Sequence, residues 1–177
     1  MTSIHPSVIS EAVIQATCEV FSTMLAQELE PGPITISKEP MNPAHGVVAL
    51  VGLAGEKWVG AGSICCSTEL SCKVAGTFMM TEYAAVNDEV LDALGELTNM
   101  IIGNVKNELE NEIGLLGMSI PTVVFGRNFT THSSNTSEWH IVTFLMGEER
   151  LDVKICLAPQ SARHATRADA DQLGMVV

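Results

Sequence analysis

The chain has 177 residues, 46% of them apolar and 17% charged, a composition that suits one globular domain with a sizeable core. Its 9 Lys+Arg stand against 21 Asp+Glu, a formal net charge of −12. So acidic a balance argues against nucleic-acid phosphate or an anionic membrane surface as partner, since no basic footprint exists to displace their counterions.

The first residues, Met1 to His5, lack a basic stretch followed by an apolar one. No apolar run reaches the roughly 18 residues of a membrane span, so a cytoplasmic protein is expected. Cys18, Cys65, Cys66, Cys72 and Cys156 are odd in number, lie in apolar surroundings and form no Cys-x-x-Cys pair, which fits reduced core thiols. The sequons at Asn128 and Asn135 carry no meaning without export.

A first helix opens at His5-Pro6-Ser7 and is expected to run to about Leu29, with Val8, Val13, Ala16, Val20 and Met24 on its apolar side. Pro31-Gly32-Pro33 then reads as its stop. Three strands are expected next, at Ile34–Ile36, Gly46–Leu53 and Lys57–Cys66, with Gly55-Glu56 turning a hairpin between the last two. The unbroken apolar run Val47 to Val51 marks a central strand covered on both faces. Ser67 or Thr68 caps a second helix that buries Leu70, Val74 and Phe78 and ends near Met80.

Asn87 to Ile113 reads as one long helix. Asn87 is a good N-cap, Asp88 and Glu89 place negative charge on the first turn, and Gly114 sits at a C-terminal stop. Leu94, Leu97, Ile101 and Val105 cluster on one face, flanked by Leu91, Ile102 and Leu109. Asp92, Glu96, Asn99, Gly103, Lys106 and Glu110 recur at spacings of four and three, so they form a polar stripe on the other side. Asn99 is mid-helix, far from any cap that would use it. Gly95 and Gly103 bracket it, each costing roughly 1 kcal/mol relative to Ala. Small residues beside a carboxylate and an amide read as clearance for something that comes close.

Beyond this helix a strand is expected at Met118–Phe125, with Pro121 confining that part to an edge or bulge. A polar loop, Asn128 to Ser137, leads to strands at Glu138–Met146 and Leu151–Leu157, joined by a turn at Gly147-Glu148-Glu149. The pattern is helix and three strands, a linking helix, then helix and three strands again, which suggests an internal duplication. The whole is expected as one α+β domain over residues 1–158, an approximately six-stranded, mostly antiparallel sheet with the long helices packed on one face. Residues 159–177, polar and Ala-rich, read as a C-terminal tail.

Most familiar chemistries are missing from the sequence. No Walker-type loop occurs, the five histidines show no ligand spacing, and no serine has a nucleophile elbow. What remains is the stripe. Asp92-x-x-x-Glu96-x-x-Asn99, followed by Pro121, resembles the motif of the CheC/CheX/FliY chemotaxis phosphatases, nearest to CheX, and the likeness covers most of residues 5–158. It implies dephosphorylation of the aspartyl phosphate of a CheY-like response regulator, with Asn99 orienting the attacking water and Glu96 docking the partner through its lysine. Asp92, Gly95 and Gly103 would support that docking surface. It implies no cofactor or metal in this chain, the Mg²⁺ being supplied by the phosphorylated partner, and a homodimer joined through sheet edges. The first helix carries Glu19-x-x-Ser22 where the second carries Glu96-x-x-Asn99, so only the second site is expected to work. The rival reading is a non-catalytic module that binds a regulator or receptor, which would not need Asn99.

Overall fold

In the computed structural model of the chain, which describes residues 4–38, 45–129 and 138–160, ten elements follow one another. They are α1 (Pro6–Leu25), β1 (Pro31–Ser37), β2 (His45–Gly55), β3 (Trp58–Ser67), α2 (Thr68–Met79), α3 (Asp88–Ile113), β4 (Leu116–Met118), β5 (Thr122–Arg127), β6 (Trp139–Met146) and β7 (Glu149–Pro159). The sheet runs in the order β1-β6-β7-β3-β2, with β4 and β5 both pairing to β2, and every pairing is antiparallel. Exchanging the two halves, so that β1 trades with β4/β5, β2 with β6 and β3 with β7, turns this order into its own reverse. The duplication suspected from the sequence is therefore built into the topology, with a pseudo-two-fold axis between β3 and β7.

One face of the sheet holds the main core. Val47, Ala49, Val51 and Leu53 of β2 and Leu151, Val153 and Ile155 of β7 alternate onto it and meet Val13, Val20 and Phe21 of α1 and Leu94, Leu97 and Ile101 of α3. Each such fully buried aliphatic side chain stabilises the fold by about 1.5–3 kcal/mol relative to exposure. α1 is long and apolar enough for a membrane span by length and composition, which the sequence reading did not flag. Its buried residues, Ile9 to Leu25, belong to this core instead. On the other face Trp139, Ile141 and Cys156 form a smaller cluster. The five cysteines form no disulfide, and burial pushes the Cys66 thiol well up. His140 is also buried, with no hydrogen-bond partner on Nδ1 among the described residues, and desolvation pushes its pKa down.

Local chemistry sets the helix ends. Asn87 Oδ1 accepts from the Val90 amide at 3.0 Å, Ser67 Oγ from the Leu70 amide at 3.1 Å, and Gly114 closes α3 at φ +82°. α1 differs from expectation. It stops at Leu25 because Ala26 turns left-handed (φ 51°) and the Gln27 amide closes onto the Phe21 carbonyl at 3.1 Å. Pro31-Gly32-Pro33 is then no helix stop. It opens β1, an edge strand where a missing N–H costs no ladder bond.

The expected strand Met118–Phe125 is two strands, so the sheet has seven strands rather than six. Leu53 pairs with Met118 and Leu50 with Thr122, so Ser119, Ile120 and Pro121 stand opposite only Val51 and Gly52. This is a β-bulge. Ser119 holds it. Its amide donates to the Gly52 carbonyl at 2.9 Å, and its Oγ accepts from the Gly52 amide at 2.9 Å. β7 also reaches further than expected, pairing Pro159 with Trp58, and the Gln160 amide donates to the Lys57 carbonyl at 2.7 Å. Pro159 and Gln160, which the sequence places at the start of the tail, thus continue the pairing with β3 and its entry. The rest of that tail, 161–177, and most of the polar loop, 130–137, lie outside the described residues.

Candidate functional site

α3 lays Leu94, Leu97, Ile101, Val105 and Leu109 into the core, all of them at 0–1% exposure, which leaves its opposite side toward solvent. Asp92 and Glu96 are exposed there and Asn99 is half-buried. Among the described residues none of the three makes a side-chain hydrogen bond or ion pair. The stripe is not uniform, however. Lys106 Nζ meets Glu110 Oε1 at 2.6 Å, and that oxygen also accepts from the Leu116 amide at 2.9 Å. The Leu116 amide and then the Lys106 ammonium hold the Glu110 carboxyl below its ordinary range. This lower end of the stripe ties α3 to β4, while the upper end keeps its polar groups unspent.

The two glycines have neighbours within this chain. Gly95 is buried, and a Cβ there would stand 3.4 Å from Val123 Cγ2 and 3.7 Å from Pro121 Cβ. A Cβ on Gly103 would stand 3.7 Å from Met118 Cε. These are ordinary van der Waals distances, so a methyl at either position would meet this chain's own Val123, Pro121 or Met118 without a clash. Gly95, Asn99 and Gly103 follow one another at spacings of four in a single row. With Gly95 over Pro121 and Gly103 over Met118, Asn99 comes level with the bulge residues Ser119 and Ile120. The sequence reading missed both. The signal available was a small polar residue followed by an apolar residue and proline in an edge strand.

The half-site on α1 is chemically different. Ser22 Oγ donates back to the Glu19 carbonyl at 3.2 Å, and Thr23 Oγ1 does the same at 2.7 Å. The hydroxyl that replaces the amide is thus engaged with its own helix. We expect Glu19→Ala to retain wild-type turnover in a dephosphorylation assay, and a loss as deep as that of Glu96→Ala would mean two working sites.

An open cleft of about 1040 Å³ runs along α2 past Thr68, Cys72, Gly76, Met80 and Tyr83, and it contains no stripe residue. Among the described residues, no group of three or more His, Cys, Asp or Glu is placed to hold a metal ion. An acid and an amide on the solvent side of a packed helix suit contact with another macromolecule better than capture of a small molecule.

Comparison with known proteins fits that geometry. A solved CheC-like superfamily protein from Shewanella sp. PV-4 superposes with a TM-score of 0.76 at 28% identity, over 85% of this chain and 97% of that one. The fold is thus of the CheC-like class. The family model for the chemotaxis phosphatase CheX matches residues 47–145. The CheY-P phosphatase CheX of Thermotoga maritima is 31% identical over 127 residues, 71% of this chain and 80% of that protein. The chain belongs to the chemotaxis phosphatase CheX family. A further neighbour is the CheX–CheY–BeF3–Mg complex of Borrelia burgdorferi, with a TM-score of 0.72 at 26% identity over 84% of this chain and 97% of that one.

Proposed function

We propose that this chain hydrolyses the aspartyl phosphate of a CheY-like response regulator. Water attacks phosphorus in line with the P–O bond to the aspartate, that bond breaks, and carboxylate and inorganic phosphate result. Asn99 holds the water, its carboxamide offering one acceptor and two donor hydrogens without a charge that would repel the phosphoryl group. Glu96, three residues earlier on the same face, docks the regulator through an ion pair with its active-site lysine. Asp92 shapes the acidic surface beside it.

The observation that carries this reading is the pair itself, Glu96 and Asn99, presented by a well-anchored helix with hydrogen-bonding capacity unspent. Such a pair cannot by itself hold a hard cation, which takes several oxygen ligands. The Mg²⁺ of the reaction accordingly belongs to the regulator. The Thermotoga maritima relative carries the name of a CheY-P phosphatase, and the Borrelia burgdorferi relative forms a complex with CheY, beryllofluoride and Mg²⁺. A cytoplasmic location goes with that partner. The test is loss of acyl phosphate from a phosphorylated CheY-type regulator with and without this chain. Binding without acceleration would favour a non-catalytic docking module.

A homodimer joined at a sheet edge is part of the same proposal. The sheet has two edges, β1 and β4/β5; the second flanks the candidate site, which leaves β1 for pairing, where Ile34 and Ile36 are 51% and 46% exposed. Sedimentation at micromolar concentration should give a dimer, and Ile36→Lys should shift it toward monomer. A wild-type monomer would remove this claim.

A further inference from the structure

The bulge between β4 and β5 presents an apolar side chain for which the fold has no use. Ile120 is 86% exposed. Its neighbours are fixed on both sides, because Ser119 is bonded to Gly52 through amide and hydroxyl, and Pro121 is seated against Gly95 of α3. Ser119 Oγ also donates to the Ile120 carbonyl at 2.9 Å, which closes the turn of chain that carries the side chain outward. A bulge re-aims a side chain that regular pairing would have placed on a sheet face. Here it aims an isoleucine into solvent at the level of Asn99, between the glycines that seat α3 on β4 and β5.

Exposed isoleucine alone means little. What gives this one weight is its position and rigidity. The next residue, Pro121, lies against Gly95, which directly precedes Glu96 on α3 and stands one turn before Asn99, so the bulge and the unspent polar pair sit on two anchored elements that touch.

We infer that Ile120 is a docking residue for the phosphorylated regulator. It seats in an apolar patch bordering the aspartyl-phosphate pocket while Glu96 takes the lysine and Asn99 the water. This rests on the phosphatase reading and adds to it a determinant of affinity outside the Asp-x-x-x-Glu-x-x-Asn row. Glu96 supplies a charged contact that salt screens, whereas Ile120 supplies one that salt does not weaken.

The experiment compares wild type, Ile120→Ser and Ile120→Leu in steady-state dephosphorylation of a CheY-type regulator, and in titration with the same regulator loaded with beryllofluoride and Mg²⁺. Ile120→Ser should raise KM and the titrated Kd about tenfold, with kcat within roughly twofold of wild type. Ile120→Leu, which keeps the apolar volume, should stay near wild type. Thermal melts should coincide, since the side chain is exposed. An Ile120→Ser variant with unchanged KM and Kd would overturn the proposal while leaving the phosphatase reading intact. So would one that lowers kcat alone. A wild-type chain that neither binds the loaded regulator nor accelerates phosphate loss would instead remove both.

Discussion

Asn99→Ala should lower the maximal rate of aspartyl-phosphate hydrolysis about a hundredfold, some 3 kcal/mol of transition-state stabilisation, while leaving the affinity for the regulator nearly unchanged. A group that only orients water acts on the transition state, so its loss is read in kcat and not in KM. The fold should not suffer. Asn99 is half-exposed, bonds to nothing among the described residues, and sits mid-helix, where alanine has the better propensity by a few tenths of a kcal/mol. Glu96→Ala should behave differently, raising KM and, because it also sets how the regulator lies over Asn99, lowering kcat as well. Measurement at saturating concentration of each variant separates the two, with melts to confirm folding. A folded Asn99→Ala protein with near-normal turnover would eliminate the mechanism and promote the binding module.

The helix that carries this site was the most legible part of the sequence, and for a physical reason. Its ends are written in residue types, Asn87 at one and Gly114 at the other, and its buried face repeats at helical spacing over many turns. α1 lacks such punctuation at its C-terminus. Ala26 adopts the left-handed conformation there without glycine or asparagine to announce it, so the end was placed too late. Pro31-Gly32-Pro33 misled because proline ends a helix and is tolerated in an edge strand alike, and only the pairing partner distinguishes the two. The split at Pro121 was half-visible. Proline announced an irregular edge, but the extra residue that makes a bulge is a matter of register against β2, which one strand read alone does not contain.

The candidate site was legible by residue type and not by role. Glu96 and Asn99 stand where the spacing put them. Gly95 and Gly103 read as costly choices in a helix, and that they face Val123, Pro121 and Met118 is a tertiary contact invisible to helical periodicity. In the same way Lys106 and Glu110 continued the stripe in sequence but are used to anchor the helix end to Leu116.

That dependence of the site on how α3 sits leads to the second large effect expected. Gly62 in β3 is buried directly beneath α3, and a Cβ built on it would stand 2.7 Å from Ile102 Cδ1 and Cγ2 and 2.9 Å from Cγ1. Ile102 is at 0% exposure and packed among Leu97, Ile101 and Val105 neighbours in the core, so it has no free space to swing into. Gly62→Ala should therefore either lift α3 from the sheet or force Ile102 off its rotamer, at about 1–3 kcal/mol. For a domain of this size the melting temperature should fall by roughly 2–4 °C per kcal/mol. Ile102→Ala alone should also destabilise, by about 2–5 kcal/mol, because it leaves a cavity. The two defects are complementary, since the methyl added at Gly62 occupies part of the volume that Ile102 vacates. The double variant should therefore be more stable than the sum of the single losses by on the order of 1 kcal/mol or more. Chemical denaturation of the four proteins measures that coupling directly. Simple additivity would mean that the sheet yields at Gly62 without moving the helix, and that α3 does not take its height above the sheet from this contact.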